Sequence, residues 1–113
     1  MNDEIPKWLI DILEAIRHID VHLNYQRDFI VYQNSITIQR AIERELEIIG
    51  EATSRIPKVE STIAISNGRR IVDLRNRIIH AYDAVDEFVV WSVIVKNLPV
   101  LKLEIEALLG SIS

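Results

Sequence analysis

Residues 4–31, EIPKWLIDILEAIRHIDVHLNYQRDFIV, decide the fold. Apolar side chains return at Ile5, Trp8, Leu9, Ile12, Ile16, Ile19 and Leu23, in steps of three and four. That is the repeat of one helix face, not the alternation of a strand. It predicts a first helix from about Glu4 to Val31. Asp3 is its expected N-cap, and Pro6 falls in the first turn, where a missing N–H costs little.

The same repeat continues outward from this stretch. A second helix is expected from about Ser35 to Ile56, stopped by Pro57, with Ile38, Ile42, Leu46, Ile49, Thr53 and Ile56 on its buried side. Residues 57–68, PKVESTIAISNG, read as a connection closed by the turn-forming pair Asn67-Gly68. A third helix follows from about Arg69 to His80. A fourth begins near Asp86, a good N-cap, and carries Val89, Val90, Val93 and Ile94. Asn97-Leu98-Pro99 should kink or break it, and Val100 to Leu109 form a last helical segment. With three glycines, three prolines and no internal repeat in 113 residues, the expectation is an all-α domain, an up-and-down bundle of four to five helices.

A chain of this size can bury one core without covalent help, and it has no cysteine. Thiolate nucleophiles and thiolate metal sites are therefore excluded. The polar start Met1-Asn2-Asp3-Glu4 lacks the basic region of a signal peptide, and no apolar run approaches the roughly 20 residues that span a bilayer. The expected location is the cytoplasm, with no membrane partner. The net charge of −4 is the wrong sign for a general nucleic-acid binder. Yet Arg69, Arg70, Arg75 and Arg77 crowd one short stretch with only Asp73 to oppose them, so any phosphate-binding site should lie there.

On a wheel of about 100° per residue, Ile71, Leu74, Ile78, Ile79 and Ala81 form an apolar arc. Arg69, Arg70, Asp73, Asn76, Arg77 and His80 take the other side. Arg75 breaks the division, because it falls inside the apolar arc. A guanidinium cannot shed its charge, so Arg75 must meet a carboxylate such as Glu45 or Glu51, a subunit interface, or an anionic ligand. Asn76 precedes His80 by four residues and is placed to orient its imidazole. His18 and His22 share metal-ligand spacing on the first helix, but without a third ligand they read as ordinary surface or satisfied histidines. No metal and no cofactor is called for.

The run Arg75-Asn76-Arg77-Ile78-Ile79-His80-Ala81-Tyr82 resembles the R-x4-H-x-Y motif of the HepT-like toxins of the HEPN class. Leu46-Glu47-Ile48-Ile49-Gly50-Glu51-Ala52 is similar to the family's second-helix segment, and Val85-Asp86, Val90-Trp91 and Leu98-Pro99-Val100-Leu101 match its downstream pattern. The resemblance spans roughly residues 39–103. It implies a HEPN-like bundle that forms a homodimer and cleaves RNA without metal. It also implies a cognate MNT-type nucleotidyltransferase antitoxin that silences the toxin by AMPylation of the motif tyrosine, here Tyr82.

Within one continuous helix Arg75 and His80 stand about 140° apart. A cleft shared by two protomers, or a helix that ends near His80, would bring them to one substrate. RNA supplies its own 2′-hydroxyl nucleophile. His80 and Arg75 are then the expected catalytic pair, His80 moving protons and Arg75 holding the scissile phosphate. Asn76 is the orienting residue, and Arg69, Arg70 and Arg77 are phosphate contacts. Two other readings compete: a non-catalytic HEPN module that binds nucleotide or RNA, and a structural helical dimerisation protein in which Arg75 forms only a buried ion pair.

Overall fold

The structure, a computed structural model, describes residues 4–66, 68–80 and 86–112. The expected stripe of the first helix is the heart of the core. Ile5, Leu9, Ile12, Ile16, Ile19 and Leu23 are buried, and Trp8 is nearly so. Helix α1 spans Glu4–His22 and lies against α3, Ile36–Val59. Helix α4, Gly68–His80, packs on α3, and α6, Leu98–Ile112, packs on α1. The class is the expected all-α bundle, and among the described residues there is no strand. No described helix is long and apolar enough to cross a membrane.

The first helix is shorter than expected. It does not run to Val31 but turns at Asn24 and Tyr25, both left-handed with φ 56° and 60°. The Tyr25 N–H reaches back to the Asp20 carbonyl at 2.7 Å, closing the helix end in the manner usually left to glycine. Asp28 then caps a short helix α2, Phe29–Gln33, by accepting from the amides of Ile30 and Val31. An aromatic cluster holds α2 in place. Phe29 stacks on Phe88 with centroids 5.1 Å apart, and Tyr32 lies 5.5 Å from Trp91. Gln33 donates to Glu87 at 2.7 Å beside them. Burial pushes the Tyr32 phenol well above its ordinary pKa, so it stays neutral.

Ser35 caps α3, accepting from the Ile38 amide at 3.2 Å. Pro57 does not stop this helix, which continues to Val59. So close to the end, its missing N–H forfeits one hydrogen bond of the ladder. The fourth helix starts on Asp86, whose carboxylate accepts from Phe88 and Val89. Asn97-Leu98-Pro99 does not break the chain's course. Helix α5, Glu87–Ser92, passes through a π turn, Val93–Asn97, directly into α6. The Leu98 N–H bonds to the Val93 carbonyl, five residues back. This widened turn accommodates a proline ring that would crowd a regular ladder. Asp3, Asn67, Ala81, Tyr82 and Val85 lie outside the described residues.

Candidate active site

The site is built where α4 meets α3. Ile71 and Leu74 anchor α4 in the core, and Ile78 is half-buried, as the wheel requires. Ile79 departs from the wheel: it is 43 % exposed and lines a groove instead. Two glycines set how closely the helices approach. A Cβ on Gly68 would stand 3.2 Å from the Thr53 methyl, at the start of α4. A Cβ on Gly50 would stand 2.8 Å from Arg75 Cγ and closer still to its Cβ. Gly50 is thus the seat on which the stem of Arg75 rests.

That seat explains how a charge sits on an apolar arc. Arg75 is 27 % exposed, and its guanidinium is turned along α3. Its Nη2 donates to Glu51 Oε2 at 2.6 Å, and its Nη1 donates to Asn76 Oδ1 at 2.8 Å. Nε is buried with no partner among the described residues. Of the two carboxylates expected for Arg75, Glu51 is the one used. Its other oxygen meets Arg55 at 2.9 Å, so one carboxylate organises two guanidinium groups. The groove around them is about 360 Å³ and is also lined by Trp8, Arg44 and Ile79. Sequence reading missed Arg55 and Arg44. The available signal was the i, i+4 spacing of Glu51 and Arg55 on one helix.

Glu45 serves a different purpose. It is buried between α3 and α1, with His22 Nε2 at 3.0 Å from one oxygen and His18 Nδ1 at 3.5 Å from the other. Both histidines therefore belong to a helix–helix contact. Among the described residues no three His, Asp or Glu side chains are placed to hold a metal ion.

The remaining expected site residues lie on the other face of α4. Arg69, Arg70 and Arg77 are exposed and line a second groove, about 770 Å³, together with Asn76. Arg69 is within 3.6 Å of Asp73. His80 is the last residue of α4 and is exposed. The helix is continuous from Arg75 to His80, so the two project from different faces of one protomer. The Asn76 carbonyl oxygen is taken by Arg75, and no bond from Asn76 to His80 is found among the described residues. Asn76 is thereby the link between the two grooves. Tyr82, the expected modification site, lies outside the described residues.

This arrangement can bind and polarise a phosphate and can present an imidazole. A family described as "Ribonuclease HepT-like" matches residues 12–108. "Putative RNase MJ1216" of Methanocaldococcus jannaschii is 30 % identical over 110 residues, covering 96 % of this chain and 90 % of that protein. "Probable ribonuclease HepT" of Thermococcus cleftensis is 35 % identical over 104 residues, covering 89 % and 92 %. Among solved structures there is no match. The match spans both α3, which seats Arg75, and α4, which carries Arg75 and His80, and on that ground the chain belongs to the HepT-like ribonuclease family.

Proposed function

We propose that the protein is the cytoplasmic toxin of a HEPN/MNT toxin–antitoxin pair, a homodimeric endoribonuclease that needs no metal. The observation that carries this reading is Arg75. The fold spends a glycine, a carboxylate and an amide on holding one partly exposed guanidinium at a groove, five residues before an exposed imidazole. A salt bridge as solvated as this one contributes only about 1 kcal/mol or less, so stability alone is a weak reason for the arrangement. A positioned guanidinium beside an imidazole suits phosphoryl transfer.

In this reading His80 takes the proton from the 2′-hydroxyl as O2′ bonds to phosphorus and the P–O5′ bond breaks. A second imidazole, from the other protomer, protonates the departing O5′. Arg75 stabilises the charge that grows on the non-bridging oxygens. Pooling the two protomers answers the separation of Arg75 and His80 around α4. The antitoxin nucleotidyltransferase would transfer AMP from ATP to the Tyr82 phenolic oxygen with release of pyrophosphate, adding a bulky anion two residues along the chain from His80. The products are a 2′,3′-cyclic phosphate and a 5′-hydroxyl. Cleavage of RNA in EDTA, followed by end-group analysis, tests the scheme. Persistence of activity with cyclic phosphate ends is expected. Activity that vanishes in EDTA and returns with a divalent ion would overturn it.

A further inference from the structure

The groove beside Glu51 holds more positive charge than its carboxylates cancel. Asp11 and Glu47 line it, and each is met by one cation on its own helix, Lys7 at 3.0 Å and Arg44 at 3.2 Å. Glu51 is met by two, Arg75 at 2.6 Å and Arg55 at 2.9 Å, one on each oxygen. Among the described residues, the group Arg75, Glu51 and Arg55 therefore keeps one net positive charge. The two guanidinium groups are committed unequally. Arg75 uses Nη1 on Asn76 and Nη2 on Glu51, and its Nε is buried. Arg55 meets only Glu51 among the described residues and is 53 % exposed, so most of its N–H donors are open to a ligand. Stability does not account for it, because an exposed pair one helical turn apart contributes little.

We propose that Arg55 is a second phosphate-binding side chain of the site, sharing one phosphodiester with Arg75. The two guanidinium groups are held one to each oxygen of a carboxylate. The non-bridging oxygens of a phosphodiester are spaced much like those two oxygens, and arginine suits both anions. Glu51 is then the spacer that keeps both groups set for a single anion. Binding that anion, which carries one negative charge, brings the group to neutrality. The assignment rests on the ribonuclease reading and gives its scissile phosphate a contact from α3, outside the motif helix. Arg75 holds one oxygen and Arg55 the other.

The probe is a 2′-O-methyl dinucleoside monophosphate. It has a single phosphate, so it cannot slide in register, and its blocked nucleophile prevents cleavage. Its methylphosphonate analogue is neutral and lacks one of the two oxygens. Titration followed by amide NMR shifts should show the wild type preferring the phosphate by about tenfold or more, the effect of one charged hydrogen bond. Arg55→Ala should cut that preference by at least about threefold, with melting unchanged because the side chain is exposed. Arg44→Ala removes the same charge from the same groove, but from a matched pair, and should lower the preference far less. No preference in the wild type, an unchanged preference in Arg55→Ala, or an equal loss in Arg44→Ala overturns the assignment. A preference that depends on Arg55 in a protein that never cuts ordinary RNA would remove the ribonuclease reading and leave the phosphate clamp standing.

Discussion

Gly50→Ala should loosen the α3–α4 contact and strongly impair cleavage, because the new methyl group meets the root of the Arg75 side chain. Its Cβ would stand 2.8 Å from Arg75 Cγ and closer still to Arg75 Cβ, while the nearest backbone atom, the Ile71 carbonyl oxygen, is at an ordinary 3.4 Å. Rotating the Arg75 stem moves Cγ but not Cβ, which the α4 backbone fixes, so α4 must shift away from α3 and carry the guanidinium with it. Replacing glycine by alanine inside a helix stabilises by about 0.5–1 kcal/mol. Against this stands overpacking, about 1–3 kcal/mol when nothing yields. The Arg75–Glu51 pair would also be lost. With side chains 27 % and 37 % exposed that pair is well screened and is worth about 1 kcal/mol or less. The net destabilisation should be about 0–3.5 kcal/mol, a fall in Tm of up to roughly 15–20 °C for a chain of this length. Displacing a phosphate-holding group by about 1 Å typically costs around a hundredfold in rate. Thermal melting and single-turnover cleavage on the same preparation separate the two effects. Wild-type cleavage by Gly50→Ala would refute the claim that this seat positions Arg75.

Glu45→Ala removes the carboxylate shared by His18 and His22. Both imidazoles are partly solvated, so destabilisation should be only about 1–2 kcal/mol, read by chemical denaturation, with cleavage by the folded fraction unchanged. A collapse of the fold would show a larger role for the cluster. For Tyr82, incubation with the cognate nucleotidyltransferase and ATP should add the mass of AMP, about 329 Da, and its anionic charge. Tyr82→Phe should abolish that addition by mass spectrometry, and an unchanged mass gain would move the modification elsewhere.

Much of this was legible in the sequence because α1 and α3 keep their apolar side chains in register over many turns. Asp86 also announced its helix by side-chain chemistry alone. The break at Asn24 and Tyr25 was not legible. Neither residue is glycine or proline, and apolar side chains resume at Phe29. The overlooked signal was Asp28, an N-cap in the middle of a supposed helix. Pro57 and Pro99 misled for the opposite reason: each is a strong local breaker, absorbed here by a helix end and by a π turn. At the site, the misfit of Arg75 was visible on a wheel, and its need for a carboxylate followed from charge. Choosing Glu51 over Glu45 required the packing of three helices, since His18 and His22 claim Glu45 from α1. The seat at Gly50 is a backbone approach, which no side-chain pattern reports.

His80→Ala tests the central claim most directly. The imidazole is exposed at the end of α4, so its loss opens no cavity and should change stability by less than about 0.5 kcal/mol. Removing a general acid–base group should lower the cleavage rate by about 10²–10⁴. Single-turnover cleavage of a single-stranded RNA by this variant, alongside its melting curve and sedimentation profile, is the decisive measurement. The account predicts an unchanged fold and assembly state with cleavage reduced by at least a hundredfold. A variant that cuts RNA at the wild-type rate would contradict it.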